Sequence, residues 1–292
     1  MEGQVSFEEV YLLSENNHPL DKAFELFRSY YKLNDWIEAD RVANHMQAMA
    51  ESLYNNQLVQ AHVFPGLQLP LRRPLVFYIG YSYLAKSIVY QKQGRYDAAR
   101  EYIDKYANLD GFVGQDQDGR QEAQRFKYFA KANSYAIDLL SGKLEVLDEY
   151  NDFIKSNEEE LLPGLITILE AANLNKWNID PLLDSYIPEE LETFASYEDA
   201  GNRVYYIKLL HQLSIYNLNQ QRYHDTINYI IDYLSIAAKM NVDREFFTTV
   251  AMYEAVRAFT STEQQSMYEN ILKGVLSDEK NINSIVYSHN IS

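Results

Sequence analysis

Tyr90–Gly111, YQKQGRYDAAREYIDKYANLDG, is the most regular stretch of the chain. Just before it, in Tyr81–Gln91, YSYLAKSIVYQ, bulky residues recur every three or four positions and so share one helical face. Gly94 can take the left-handed conformation that ends a helix, and Asp97 puts acidic character into the first turn of the next one. The spacing predicts a helical hairpin of about 30 residues, the size of one unit in a repeat array.

The same layout returns along the chain. Tyr30–Met46 puts Trp36 where Tyr96 stands and Ala39 where Ala99 stands. Asn133–Ile154 offers Gly142 and Leu144 in the Gly94 and Tyr96 places, and Leu165–Leu183 offers Asn175 and Trp177. Leu213–Leu234 offers Gln221, Tyr223 and, in the Ala99 place, Thr226. A sixth hairpin is expected from Arg244–Phe259 and Thr260–Leu276, where Ser261 and Gln264 have capping-box spacing. Helical periodicity covers about Pro19 to Leu276, and the polar tail 277–292 is expected to fray. No single hairpin buries its own apolar face, so recurring units of this size stack into a solenoid.

Composition agrees with an all-α fold. The chain has 292 residues, with 11 Gly and 7 Pro, too few for many-stranded folds that turn every ten residues or so. Tyr is over-represented, at 25 residues beside 13 Phe, which suits either packing of large side chains against small ones or a surface with amphipathic anchors. Three prolines interrupt Gln60–Pro74, and Asp110–Arg120 is rich in Gly and Asp. Asp116 and Asp118 suggest a calcium loop, but Arg120 stands where an acidic ligand is needed, so this is read as a surface loop. Neither connection resembles a flexible linker, and a single domain over residues 1–292 is expected.

The charge balance excludes partners. Lys and Arg number 26 against 42 Asp and Glu, for a net charge of −16, so direct nucleic-acid binding is not expected. Cysteine is absent, which removes disulfides, thiol nucleophiles and thiolate metal sites together. The start, MEGQVSFEEVYLL, lacks the layout of a signal peptide, and no apolar run approaches the roughly 18 residues of a membrane span. A soluble, cytoplasmic protein without cofactor is expected. The six histidines have no paired metal spacing, and there is no phosphate loop, dinucleotide fingerprint or nucleophile elbow. The chain is therefore read as non-enzymatic.

Along one register, Tyr83, Ser87, Tyr90, Gly94, Tyr96, Asp97, Ala99, Tyr102 and Leu109-Asp110, the sequence resembles the tetratricopeptide-repeat family. Tyr106, where a second small residue is usual, and Gly111, where proline is usual, depart from that pattern. The resemblance implies a right-handed solenoid of about six hairpins. The degenerate, tyrosine-rich repeats are also similar to the sensor domains of Gram-positive peptide receptors of the Rap, NprR, PlcR and Rgg type. That similarity implies a receptor for short signalling peptides, or the sensor part of a transcription regulator without its helix-turn-helix domain. The competing expectation is a constitutive scaffold or inhibitor that grips a folded protein. The sequence leaves homodimerisation open.

In such an array the first helix of each hairpin lines the concave face. Counting back from the turns gives Tyr81, then Phe129 and Asn133, then Leu162 and Leu165, then Lys208, His211 and Gln212 as ligand contacts. The resemblance implies a peptide-backbone clamp for Asn133, since a carboxamide both donates and accepts; the competing role is a solvated surface Asn. Asn173 is expected on the groove side or in a helix-capping role. His211 reads as a polar contact or as a half-buried histidine, and Lys208 and Arg203 as partners for a peptide carboxylate or as solvated charges. Trp36 and Trp177 are assigned to packing.

Overall fold

The computed structural model describes residues 18–61, 70–112, 116–187, 189–240 and 244–288. The acidic N-terminal segment 1–17, residues 62–69 of the proline-rich connection and residues 113–115 lie outside them. Thirteen α-helices and no strand occur among the described residues, in agreement with the all-α class. None of these helices is long and apolar enough to cross a membrane. The chain divides into two compact units, Met1–Ser141 and Gly142–Ser292.

The first unit holds α1 (Pro19–Lys32), α2 (Trp36–Ala61), α3 (Leu75–Lys92), α4 (Tyr96–Ala107) and α5 (Gln117–Leu140). Each helix packs on the next, and α3 also touches α1 and α5. That central position explains why α3 is apolar around most of its circumference, with Val76, Ile79, Ala85 and Val89 all buried. Gly80 lets α5 approach: a Cβ there would lie 2.6 Å from Leu109 Cδ1 and from the Phe126 ring. Asp116, one of the two aspartates that suggested a calcium loop, caps α5 by accepting the Gly119 N–H at 2.8 Å.

The second unit holds α6 (Leu147–Lys155), α7 (Glu158–Asn175), α8 (Asp180–Leu183), α9 (Glu189–Ala195), α10 (Ala200–Asn219), α11 (Tyr223–Met240), α12 (Arg244–Val256) and α13 (Thr262–Ser288). Here α7 packs on α6 and α10, while α11 packs on α10, α12 and α13.

Three turns repeat one hydrogen-bond pattern. Asn34, Gly94 and Gln221 take positive φ of 53°, 71° and 60°. The N–H of the following residue, Asp35, Arg95 or Arg222, donates to the carbonyl five residues back, Tyr30, Tyr90 or Asn217, at 2.8–3.0 Å. The carbonyls of Asp35, Arg95 and Arg222 then accept from Ala39, Ala99 and Thr226. Those three small residues are all 0% exposed, and they sit where the sequence register placed them. A large side chain at any of them would hold the paired helices apart.

The Leu165–Leu183 hairpin departs from expectation. The left-handed residue is Lys176 (φ 58°), not Asn175, and no long helix starts at Trp177. Asp180 diverts the chain instead. Its carboxylate accepts from the Tyr216 hydroxyl at 2.8 Å and from the Arg222 guanidinium through two bonds, while Ile179 N–H donates to the Tyr216 hydroxyl at 2.9 Å. Only the four residues of α8 are helical before the chain turns again. Gly142 is left-handed as expected (φ 98°), but Leu144 opens a short 3-10 turn rather than an α-helix.

Ser261 and Gln264 form the reciprocal capping box that their spacing predicts. Gln264 N–H donates to Ser261 Oγ at 3.1 Å, and Ser261 N–H donates to Gln264 Oε1 at 3.0 Å. Helix α13 continues to Ser288, so the tail expected to fray is helical over residues 277–288; residues 289–292 lie outside the described residues.

Candidate functional site

The candidate contact residues singled out in the sequence divide between the units. In the first, Tyr81 on α3 is half-buried among Phe24, Phe27 and Phe77, with ring centroids 4.6, 5.8 and 5.6 Å away. Burial pushes its phenol up to about 12, against a smaller opposing effect of Arg28. Its hydroxyl makes no hydrogen bond among the described residues. Phe129 on α5 is half-buried against Phe126 and has the Arg125 guanidinium 5.6 Å over its ring.

Asn133 is half-buried and donates from Nδ2 to the Tyr106 hydroxyl of α4 at 2.9 Å. Tyr106 is fully buried, and burial raises its phenol to about 12. The large ring that departs from the repeat pattern is thus accommodated by a carboxamide on the neighbouring helix. That bond engages one Nδ2 proton of the Asn133 carboxamide.

In the second unit α7 and α10 bring Asn173 and Gln212 together. Asn173 Nδ2 donates to the Gln212 backbone carbonyl at 3.0 Å and to Gln212 Oε1 at 2.9 Å, and Asn219 Nδ2 donates to Asn173 Oδ1 at 3.3 Å. Asn173 therefore ties two helices together rather than capping its own. Gln212, with its oxygen engaged, keeps its Nε2 donors without an acceptor among the described residues. One turn earlier on α10, Lys208 is half-buried and has no ion pair or hydrogen bond among them. Arg203 is likewise half-buried and unpaired there.

His211, three residues after Lys208, packs towards α12. It is 7% exposed, with Nδ1 3.0 Å from Thr249 Oγ1 on α12. Thr249 donates its own proton to the Glu245 carbonyl at 2.8 Å, which leaves its oxygen to accept the Nδ1 proton of His211. Burial holds the imidazole pKa below its ordinary value, partly offset by Glu245. Leu162 and Leu165, expected at the groove, are buried core residues of α7, which packs on both α6 and α10.

Comparison with protein-family models, with curated proteins and with solved structures found no match to this chain. Function is therefore argued from this geometry. Among the described residues no group of three or more His, Cys, Asp or Glu is placed to hold a metal ion. Sequence reasoning missed Asn219 and Thr249, which lie 46 and 38 residues from their partners Asn173 and His211. No local pattern marks pairs so far apart. The signal open to it was the pair of carboxamides, Asn173 and Gln212, one turn from a lysine.

Proposed function

We propose that the chain is a non-enzymatic peptide- or protein-binding helical-repeat protein whose α7–α10 face holds an extended, acceptor-rich segment. The observation that carries this reading is a pair of half-buried donors one helical turn apart. Gln212 Nε2 and the Lys208 ammonium have no acceptor among the described residues, in a chain with 42 acidic side chains. Half-buried donors without acceptors favour a ligand that supplies carbonyls or a carboxylate. The three matching turns support the tetratricopeptide-like array, and with it the sharper form of the reading, an intracellular receptor for a short signalling peptide. Such a receptor would act through a protein partner or an attached DNA-binding domain, with no metal or cofactor.

Isothermal calorimetry with short peptides encoded by the source organism, with free and amidated C-termini, tests this. Binding is expected, and Lys208→Glu should weaken it about tenfold, or 1.4 kcal/mol. A Lys208→Glu variant that binds as well as the parent, or no binding by any peptide, overturns the reading.

One observation favours the second reading, a scaffold that grips a folded partner. The α1–α2 turn presents Leu33 and Ile37, 71% and 74% exposed, beside the exposed Tyr31 and half-buried Trp36. An apolar knuckle of that kind suits a protein surface better than a short peptide. A protein copurifying with the native chain and released by Ile37→Glu would support it.

A further inference from the structure

In the first unit α2 and α4 both pack on α3. They do not pack extensively on each other, and Tyr83, Lys86 and Tyr90 of α3 bridge the groove between them: Tyr83 and Lys86 reach α2, and Tyr83 and Tyr90 lie beside Tyr102 of α4. Lys86 is 2% exposed, with Nζ 2.5 Å from Asp40 Oδ1 of α2. Glu51, also on α2, accepts from the Tyr83 hydroxyl and from Gln47 Nε2, both at 2.9 Å.

Cations and tyrosine rings alternate along this groove. Lys105 Nζ lies 5.7 Å from the Tyr83 centroid and 4.1 Å from that of Tyr102. Lys86 Nζ lies 5.8 Å from Tyr102 and 4.5 Å from Tyr90, and Arg95 caps the row 4.4 Å over Tyr90. The members are not equally fixed. Lys86 is buried and paired with Asp40, whereas Lys105 is exposed and has no carboxylate partner among the described residues. Ring faces alone hold Lys105, an attraction of about 0.5–1 kcal/mol at an exposed site. Water and another cation compete with it readily.

We propose that the groove between α2 and α4 is a binding site for a cationic side chain, an arginine or lysine from a basic partner segment. That side chain takes the place of Lys105 between Tyr83 and Tyr102. The acidic chain attracts such a segment, and Glu51 beside Tyr83 supplies a carboxylate that Lys105 does not engage. An arginine can stack on Tyr102 and donate to Glu51 together, which Lys105 does not do. Lys105 acts as a built-in competitor, and its removal exposes the site. This site is independent of the α7–α10 face.

The test uses the full chain with tyrosines labelled for NMR and two blocked peptides, acetyl-Gly-Arg-Gly-Arg-Gly-amide and its citrulline counterpart. The arginine peptide should shift the Tyr83 and Tyr102 ring signals, the citrulline peptide should not, and added salt should weaken the effect. Lys105→Ala should tighten arginine-peptide binding about fivefold, and Tyr102→Leu should remove it. Equal binding of the citrulline peptide, or unchanged affinity in Lys105→Ala, overturns the proposal. Should Tyr102→Leu fail to fold, the citrulline comparison and Lys105→Ala decide, since Lys105 is exposed. Self-association of Lys105→Ala without peptide would assign the groove to another copy of the chain and also overturn it.

Discussion

Gly80 and Gln221 show two ways in which one residue sets local stability. At Gly80 an added methyl group would meet Leu109 and Phe126, both buried and unable to yield without moving α5. Gly80→Ala should therefore destabilise the protein by about 1–3 kcal/mol, read as a lower urea midpoint. Gln221 is the opposite case. It holds φ at 60°, which is strained for a side chain with a Cβ, and Gly94 does the same work in the matching turn without that strain. Gln221→Gly should stabilise by about 1 kcal/mol, seen as a higher midpoint with unchanged slope. The left-handed residues were only partly legible. Gly94, Gly142 and Gln221 stood at register positions, but Lys176 did not, because nothing about a lysine marks it for a left-handed turn.

At the scale of elements, Asp180 decides the course of the chain between α7 and α10. Hydrogen bonds from Arg222 and Tyr216 hold its carboxyl below the ordinary aspartate value, against a smaller opposing effect of burial. A depressed folded pKa contributes stability that is present above the unfolded value of 3.8 and is lost as pH falls through the folded value. Asp180→Asn should cost about 1–3 kcal/mol in urea unfolding at pH 7. The gap between parent and variant should then shrink as pH drops below 3.8, and a gap that persists would rule out the carboxylate as its source. This clamp is why the expected hairpin at Asn175 and Trp177 failed. Its partners lie 36 and 42 residues away, so local periodicity could not register them. Where both helices of a hairpin are sequence neighbours and meet through a small residue, as at Ala39, Ala99 and Thr226, the spacing sufficed.

Across the whole molecule, helical content follows from periodicity and scarce glycine, and both are visible without a structure. Which donors stay open is a different kind of fact. Lys208 and Asn173 looked equally available in the sequence, yet Asn173 is consumed by a helix 39 residues away while Lys208 is not. The buried rings carry a further consequence, for alkaline solution. Tyr81, Tyr106 and Tyr216 are each pushed up to about 12 by burial, whereas an unfolded tyrosine ionises near pH 10. Their contribution is complete below that pH and drains away as pH climbs from about 10 towards 12, because only the unfolded chain releases those protons. Exposed tyrosines such as Tyr31, Tyr128 and Tyr205 should ionise first, and the remaining phenolate absorbance should rise in a cooperative step that coincides with loss of helical circular dichroism. A gradual rise to full ionisation with the helices intact would mean that the buried hydroxyls reach water in the folded protein. In a chain so rich in tyrosine, base rather than acid should set the sharper limit of survival.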